Sequence, residues 1–309
     1  MPSNAKVSVV IPTYNRPNRL RRALNSVRNQ TYENIEVVVV DDHSSTSMEN
    51  VVNEYSSELT TQFIRHSENK GANAARNTGI QEATGEYIAF LDDDDSWEAK
   101  KIEKQISAIQ EENAGLVYTG IRHIEENGTV TQENIPEKPS DTTTELLQKN
   151  FVGSFSVVLV KSTIIQKAGL PDEGFPIWQD KEWYVRISQH AKFALVPEVL
   201  VSHHQGSGER ISGNFSGLEQ TALPKFIDKF QHLIEKQGLI QKRKIYHNIY
   251  YSVSRYALAT GNFNKSRKYA LRSLIYNPLG VISAICYLMS LRQGLLYRSY
   301  KRILHQSTV

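Results

Sequence analysis

Three short apolar runs, each ending in a polar cluster and each followed by a helix-length segment, constrain this chain more than any other feature. They are VSVVI at 7–11, IEVVVV at 35–40 and EYIAFL at 86–91. The second is almost wholly β-branched, as a strand covered on both faces must be. Pro17 follows the first run and opens a helix whose Leu20, Ala23, Leu24 and Val27 recur at i, i+3, i+4 and i+7. Weaker strand signals at 61–64, 116–119, 157–160 and 193–201 continue the alternation. Helical signals lie near 71–83, along Ile102, Ile106 and Ile109, and at 180–189. Strands separated by helix-length crossovers predict an α/β class with a mostly parallel sheet sandwiched by helices. Polar, Pro-containing sequence at 121–143 predicts irregular loops or a hairpin.

Charge then divides the chain. From 236 to 309 there are 13 Lys and Arg and no Asp or Glu, whereas 1–235 carries 23 basic against 33 acidic residues. The basic part also holds nine of the 15 tyrosines. Such asymmetry predicts two units: a catalytic domain at 1–215 and a helical, Tyr-rich region at 216–309. The Gly/Ser-rich stretch at 205–217 is the expected boundary. A lone cysteine, Cys286, excludes a disulfide scaffold and suits a reducing cytosol. The first residues read as no signal peptide, and the 13 mostly apolar residues at 279–291 are too few to span a bilayer. A cytoplasmic protein, peripheral on the membrane at most, is the expectation.

Open α/β sheets bind ligands at the carboxyl ends of their strands, and three of those ends carry reactive side chains. They are Pro12-Thr13-Tyr14-Asn15, Asp41-Asp42-His43-Ser44-Ser45 and Asp92-Asp93-Asp94-Asp95. Asp95 with Glu98 three residues on reads as a capping box for the next helix. Three further carboxylates at a buried strand end repel one another unless a cation offsets them. Oxygen ligands suit Mg²⁺ or Mn²⁺ shared with a diphosphate, not zinc. Neither G-x-G-x-x-G nor G-x-x-x-x-G-K-[ST] is present, so a Gly-rich phosphate cradle is disfavoured.

Together the blocks VSVVIPTYNR, IEVVVVDDHSS, GANAARNTGI, ATGEYIAFLDDDDSW and WQDKEWYVRI resemble the family 2 glycosyltransferases, which have the GT-A fold and invert the anomeric carbon. The resemblance covers 7–187. It implies a nucleotide-diphosphate-sugar donor, a glycan or lipid-linked acceptor and a divalent metal, Mn²⁺ or Mg²⁺. It places base and ribose against Pro12, Tyr14 and Asp42, and Asp92 or Asp93 against the ribose. Asp92-x-Asp94 matches the D-x-D, with Asp94 the direct metal ligand and Asp92 beside it. Asp180 matches the general base, and Arg76 and Asn77 stand in a donor-site block. One departure is His43, where the family usually has Gly. His203 and His204, after the last strand, stay outside the expected metal set.

Two rival readings are weaker. Asp92-x-Asp94-x-Ser96 can be read as a haloacid-dehalogenase phosphatase motif, but that motif belongs on a first strand and here three strands precede it. The basic tail could bind nucleic acid, yet no nucleic-acid motif accompanies it and the acidic front opposes a polyanion. The tail itself reads as a hairpin through 256–260, Gly261 and 265–275. Pro278 should then open a helix through about Leu296, with a basic end at Arg292, Arg298, Lys301 and Arg302. Its cations call for an anionic counterpart, either a membrane surface or the acidic front of the chain.

Overall fold

The computed structural model describes residues 4–204, 214–291 and 294–298. They form two compact units. One holds 4–143, 151–173 and 179–204; the other holds 144–150, 174–178 and the described residues from 214 onward.

The first unit opens with β1 (Val7–Thr13), α1 (Pro17–Arg28), β2 (Ile35–Asp41), the short α2 (Glu49–Asn53), β3 (Thr60–Arg65) and α3 (Ala72–Glu82). β4 (Tyr87–Phe90), β5 (Asp95–Trp97), α4 (Lys101–Glu111) and the hairpin of β6 (Leu116–Ile124) and β7 (Val130–Asn134) follow. α5 (Thr142–Gln148) belongs mostly to the second unit. β8 (Leu159–Lys161), α6 (Ser162–Ala168), α7 (Gln179–Ser188) and β9 (Phe193–His204) complete the first. The sheet runs β3-β2-β1-β4-β8-β6-β9-β5, with β7 on β6. Only β5, β7 and β8 run against the rest, so the mostly parallel α/β class holds. The carboxyl ends of β1, β2, β4 and β9 therefore open on one edge.

Burial follows the apolar pattern. Val7, Val9, Val10 and Ile11 of β1 are sealed, as are Val37 to Val40 of β2 and the predicted stripe of α1. Gly79 shows why α3 is rich in small residues: a Cβ there would lie 2.3 Å from Val10 Cγ1, so the helix can cross β1 this closely only without a side chain.

Several strands outrun their sequence signal. Pro12 does not close β1; its missing N–H faces the β4 side, beyond the last paired residue, Phe90, where no ladder bond is due. β6 continues past Thr119 and β9 past Val201, because each pairs with the other through polar residues as far as Ile124 and His204. Asp95 is not a helix cap. It lies in β5, opposite His203 in an antiparallel ladder, and α4 begins only at Lys101.

The second unit is helical. Phe215–Gly217 (α8) leads through a π-helical turn at Leu218–Ala222 into α9 (Leu223–Glu235), and α10 (Leu239–Ala259), α11 (Phe263–Tyr276) and α12 (Val281–Met289) follow. α10 and α11 form the expected hairpin, turning at Gly261 with φ +78°. They approach closely enough for Ser254 Oγ to donate to the Ser266 carbonyl at 2.9 Å. α12 starts three residues after Pro278 and is interrupted after Met289, but 291 and 294–298 are helical again, so helix does reach Leu296 in a broken form, with Gly294 at φ +75°. Of the expected basic end, Arg292, Lys301 and Arg302 lie outside the described residues. Among the described residues no helix is long and apolar enough to cross a membrane.

Candidate active site

The turns after β1 and β2 are tied together. Asn15 takes φ +55°, donates its N–H to Ser44 Oγ at 2.8 Å, and accepts from Ser45 N and Oγ at 2.7 and 2.9 Å. His43 has φ +67°, the left-handed region in which glycine is costless; its ring is exposed. Pro12 is buried and Tyr14 exposed. Asp42 is buried and already well supplied with donors. It accepts from His66 Nδ1 at 2.8 Å and from the Lys70 and Gly71 N–H groups at 2.9 and 2.7 Å. Thr78 Oγ1, 2.9 Å from His66 Nε2, fixes that ring.

Each aspartate after β4 has a different partner. Asp92 accepts from Arg76 Nη2 at 2.6 Å, and that guanidinium lies 4.2 Å from the Phe155 ring centroid. Asp93 accepts from Thr13 Oγ1 at 2.9 Å and Arg16 Nη1 at 3.0 Å. Burial still pushes its carboxyl up to about 6, against the pull of Arg16. Asp94 is more open, with Arg16 and Arg19 guanidinium nitrogens at 3.6 and 3.7 Å. Asp95, fully enclosed, faces His203 Nδ1 at 2.7 Å. Burial raises Asp95 to about 6, and the bond to Asp95 raises His203. His204 instead meets Ser96 Oγ at 2.8 Å, and burial with Arg22 nearby lowers it to about 4.

Ligand atoms of Asp94, Asp95 and His203 lie within 4.8 Å of one another. Two carboxylates and one imidazole are a donor set that fits Mn²⁺ and accommodates Mg²⁺ less well. The fold thus brings Asp94 together with two groups outside the expected ligand set, Asp95 and His203, while Asp92 is held by Arg76. The sequence carried a faint cue, since a strand reading of 193–201 could be extended through Ser202 to both histidines.

Asp180 sits in the first turn of α7, partly buried, with its Oδ1 accepting from the Lys181 N–H at 2.7 Å. Burial pushes it up to about 6; Arg76 pulls it down and Asp92 pushes it up. Lys181, buried beside it, falls to about 7. The segment leading to α7 is clamped from α3. Asn77 Nδ2 donates to the Pro171 carbonyl at 3.0 Å and to Glu173 Oε1 at 2.7 Å, and Asn73 Nδ2 to the Asp172 carbonyl at 3.0 Å. Arg76 and Asn77 are thus both engaged by protein groups: one holds Asp92, the other the 171–173 segment.

A family model described as Glycosyl transferase family 2 matches residues 8–165. The chain belongs to this family. It is 34% identical over 182 residues to the Escherichia coli UDP-Glc:alpha-D-GlcNAc-diphosphoundecaprenol beta-1,3-glucosyltransferase WfgD, covering 59% of this chain and 68% of that one. To the putative teichuronic acid biosynthesis glycosyltransferase TuaG of Bacillus subtilis it is 30% identical over 154 residues, covering 50% of this chain and 61% of that one. An uncharacterized glycosyltransferase of Rickettsia bellii is 40% identical over 125 residues, which span 40% of this chain and only 18% of that longer relative. The crystal structure of S. aureus TarS 1-349 in complex with UDP-GlcNAc superposes with a TM-score of 0.57, covering 95% of this chain and 92% of that one at 18% identity. That likeness shows the fold, GT-A-like with a C-terminal helical region.

Proposed function

We propose that this glycosyltransferase moves a sugar from a nucleoside-diphosphate donor to a hydroxyl of a lipid-linked glycan acceptor, inverting the anomeric carbon. The observation that carries the reading is the Asp94–Asp95–His203 cluster at the strand-end edge of a family 2 sheet. Support for the acceptor class comes from the E. coli relative, whose name specifies a diphosphoundecaprenol-linked sugar. The TarS complex, with UDP-GlcNAc on the same fold, supports the donor class.

Each group then has a role. Pro12, Tyr14 and Asp42 form the base and ribose pocket, with Asp93 at its inner end. The catalytic unit falls within 1–215, less 144–150 and 174–178, which belong to the helical unit, and the region from 216 brings the enzyme to an anionic membrane surface where such acceptors reside. Asp94, Asp95 and His203 would hold a divalent cation, which when bound supplies positive charge beside the leaving diphosphate. Asp180 takes the acceptor's proton as the new oxygen–carbon bond forms and the bond to the diphosphate oxygen breaks. Burial raises Asp180 to about 6 while the Lys181 N–H and then the Arg76 charge pull it down, so it is mostly ionised at neutral pH.

The test is a screen of UDP-, GDP- and dTDP-sugars for release of free nucleoside diphosphate, with Mn²⁺ and with EDTA. The expected result is Mn²⁺-dependent release from one nucleotide class. Phosphate release from simple phosphomonoesters, with every nucleotide sugar left intact, would overturn the assignment.

A further inference from the structure

Helix α12 is amphipathic the wrong way round for a helix facing water. Its buried positions are Ser283 and Cys286, followed by Ser290 at its end, and Ser283 Oγ lies 2.9 Å from Ser273 Oγ. Its outward positions are Val281, Ile282, Ile285 and Leu288, at i, i+1, i+4 and i+7 on one face. With Ile275 at the end of α11 and Leu279 in the connecting turn, they are 46–88% exposed. Scattered exposed apolar residues need no explanation, but six within 14 positions form a contiguous patch that water does not favour.

Cations flank the patch. Arg243 donates to the Tyr276 and Ile275 carbonyls at 3.0 and 3.4 Å, which places it beside Ile275. Arg272 lies one turn before Ile275 on α11, its guanidinium 5.5 Å from the Tyr269 ring centroid. Among the described residues neither arginine has a carboxylate partner. Tyr276 stacks on Tyr246 at 5.0 Å beside them, and tyrosines suit a boundary between water and lipid.

We infer that the α12 face, with Ile275 and Leu279, is a monotopic docking surface that inserts into the headgroup region of an anionic bilayer. An apolar helix face edged by cations and tyrosines is what such a boundary selects. A second copy of the chain would cover the apolar side chains, but it would bring the same unbalanced cations against these. The inference deepens the lipid-linked acceptor reading by naming the element that brings the site to its substrate, and it rests on that reading only for its purpose.

Sedimentation of the full chain with phosphatidylglycerol vesicles, and in parallel with phosphatidylcholine vesicles, tests it. The wild type should pellet with the first and far less with the second. Ile282→Glu/Ile285→Glu should lower the partition coefficient about tenfold or more, and Arg243→Gln/Arg272→Gln should weaken binding mainly at low salt. Ile285→Trp, which keeps the face apolar, should still bind and be quenched by brominated phosphatidylglycerol. Equal pelleting of the wild type and Ile282→Glu/Ile285→Glu would overturn the inference, as would an unquenched Ile285→Trp. So would a wild-type dimer that this double variant dissolves while neither binds lipid, which would assign the face to a second copy. None of these assays contains donor, metal or acceptor, so their failure leaves the transfer reading standing.

Discussion

Arg76 is the residue on which the site's electrostatics turn, because its charge acts on both Asp92 and Asp180. With Asp180 raised to about 6, the base is protonated below that pH and ionised above it. In the proposed reaction kcat should therefore fall as pH drops through about 6, approaching tenfold per unit. Arg76→Gln removes a charge that lowers Asp180, so the same limb should move to higher pH; a pH–rate profile of both proteins reads the shift. Asp180→Asn keeps the size but cannot accept the proton. Its expected loss in kcat is on the order of 10²–10⁴, with donor affinity little changed and the acid limb gone. An equal loss of donor binding would make Asp180 a binding group instead. His203 makes a separate prediction. Losing even an outer-shell partner costs ~10–100-fold in metal affinity, so His203→Ala should raise the Mn²⁺ needed for half-maximal turnover by at least that range. Asp94→Asn should nearly abolish turnover while the thermal midpoint stays close to that of the wild type. Full activity of the wild type in excess EDTA would dismiss the metal altogether.

Among the elements, the α3–β1 crossing is the tightest constraint. Gly79→Ala sets a methyl group against Val10 in a sealed core, and overpacking of this kind costs about 1–3 kcal/mol. Chemical denaturation should show that loss, and Val10→Ala should recover part of it in the double variant because the two side chains share one space. Simple additivity of the two changes would mean the helix shifts instead. The same crossing shows what the sequence could reveal. β1, β2 and α1 were legible because their apolar periodicity is unbroken and locally determined, and the strand-end rule then located the aspartates. β5 was not legible: it is three residues long and carries an aspartate run, and its strand character comes only from pairing with β9, 108 positions away at Asp95 and His203. The misread cap and the unexpected metal candidate, His203, have that one cause. The family block around Arg76 and Asn77 was legible as a motif but not in its local task. Only the fold shows that these side chains reach Asp92 and the 171–173 segment rather than ending in open space.

At the level of the whole molecule, the acidic cluster couples ligand binding to stability. Asp93 and Asp95 are both buried with carboxyls raised toward 6, so at neutral pH they are mostly ionised but their charge carries a burial cost in the free protein. Arg16 offsets part of this at Asp93, but Asp94 has only the longer contacts to Arg16 and Arg19. A divalent cation alone relieves the carboxylates and leaves its remaining positions to water. A nucleoside diphosphate alone meets their uncompensated negative charge. Supplied together, each removes the other's penalty, so binding should be cooperative. Saturation to about 100 times Kd adds ~2.7 kcal/mol to stability, which at ~2.1 cal/mol/K of unfolding entropy per residue is a rise of roughly 4 °C in Tm for a chain of this size. Thermal melts should therefore show Mn²⁺ and UDP, or whichever diphosphate the donor screen selects, raising Tm by more than the sum of their separate effects. Asp94→Asn should lose that excess while keeping its own baseline Tm. Strictly additive shifts would separate the carboxylates from the diphosphate and place the nucleotide elsewhere on the sheet edge.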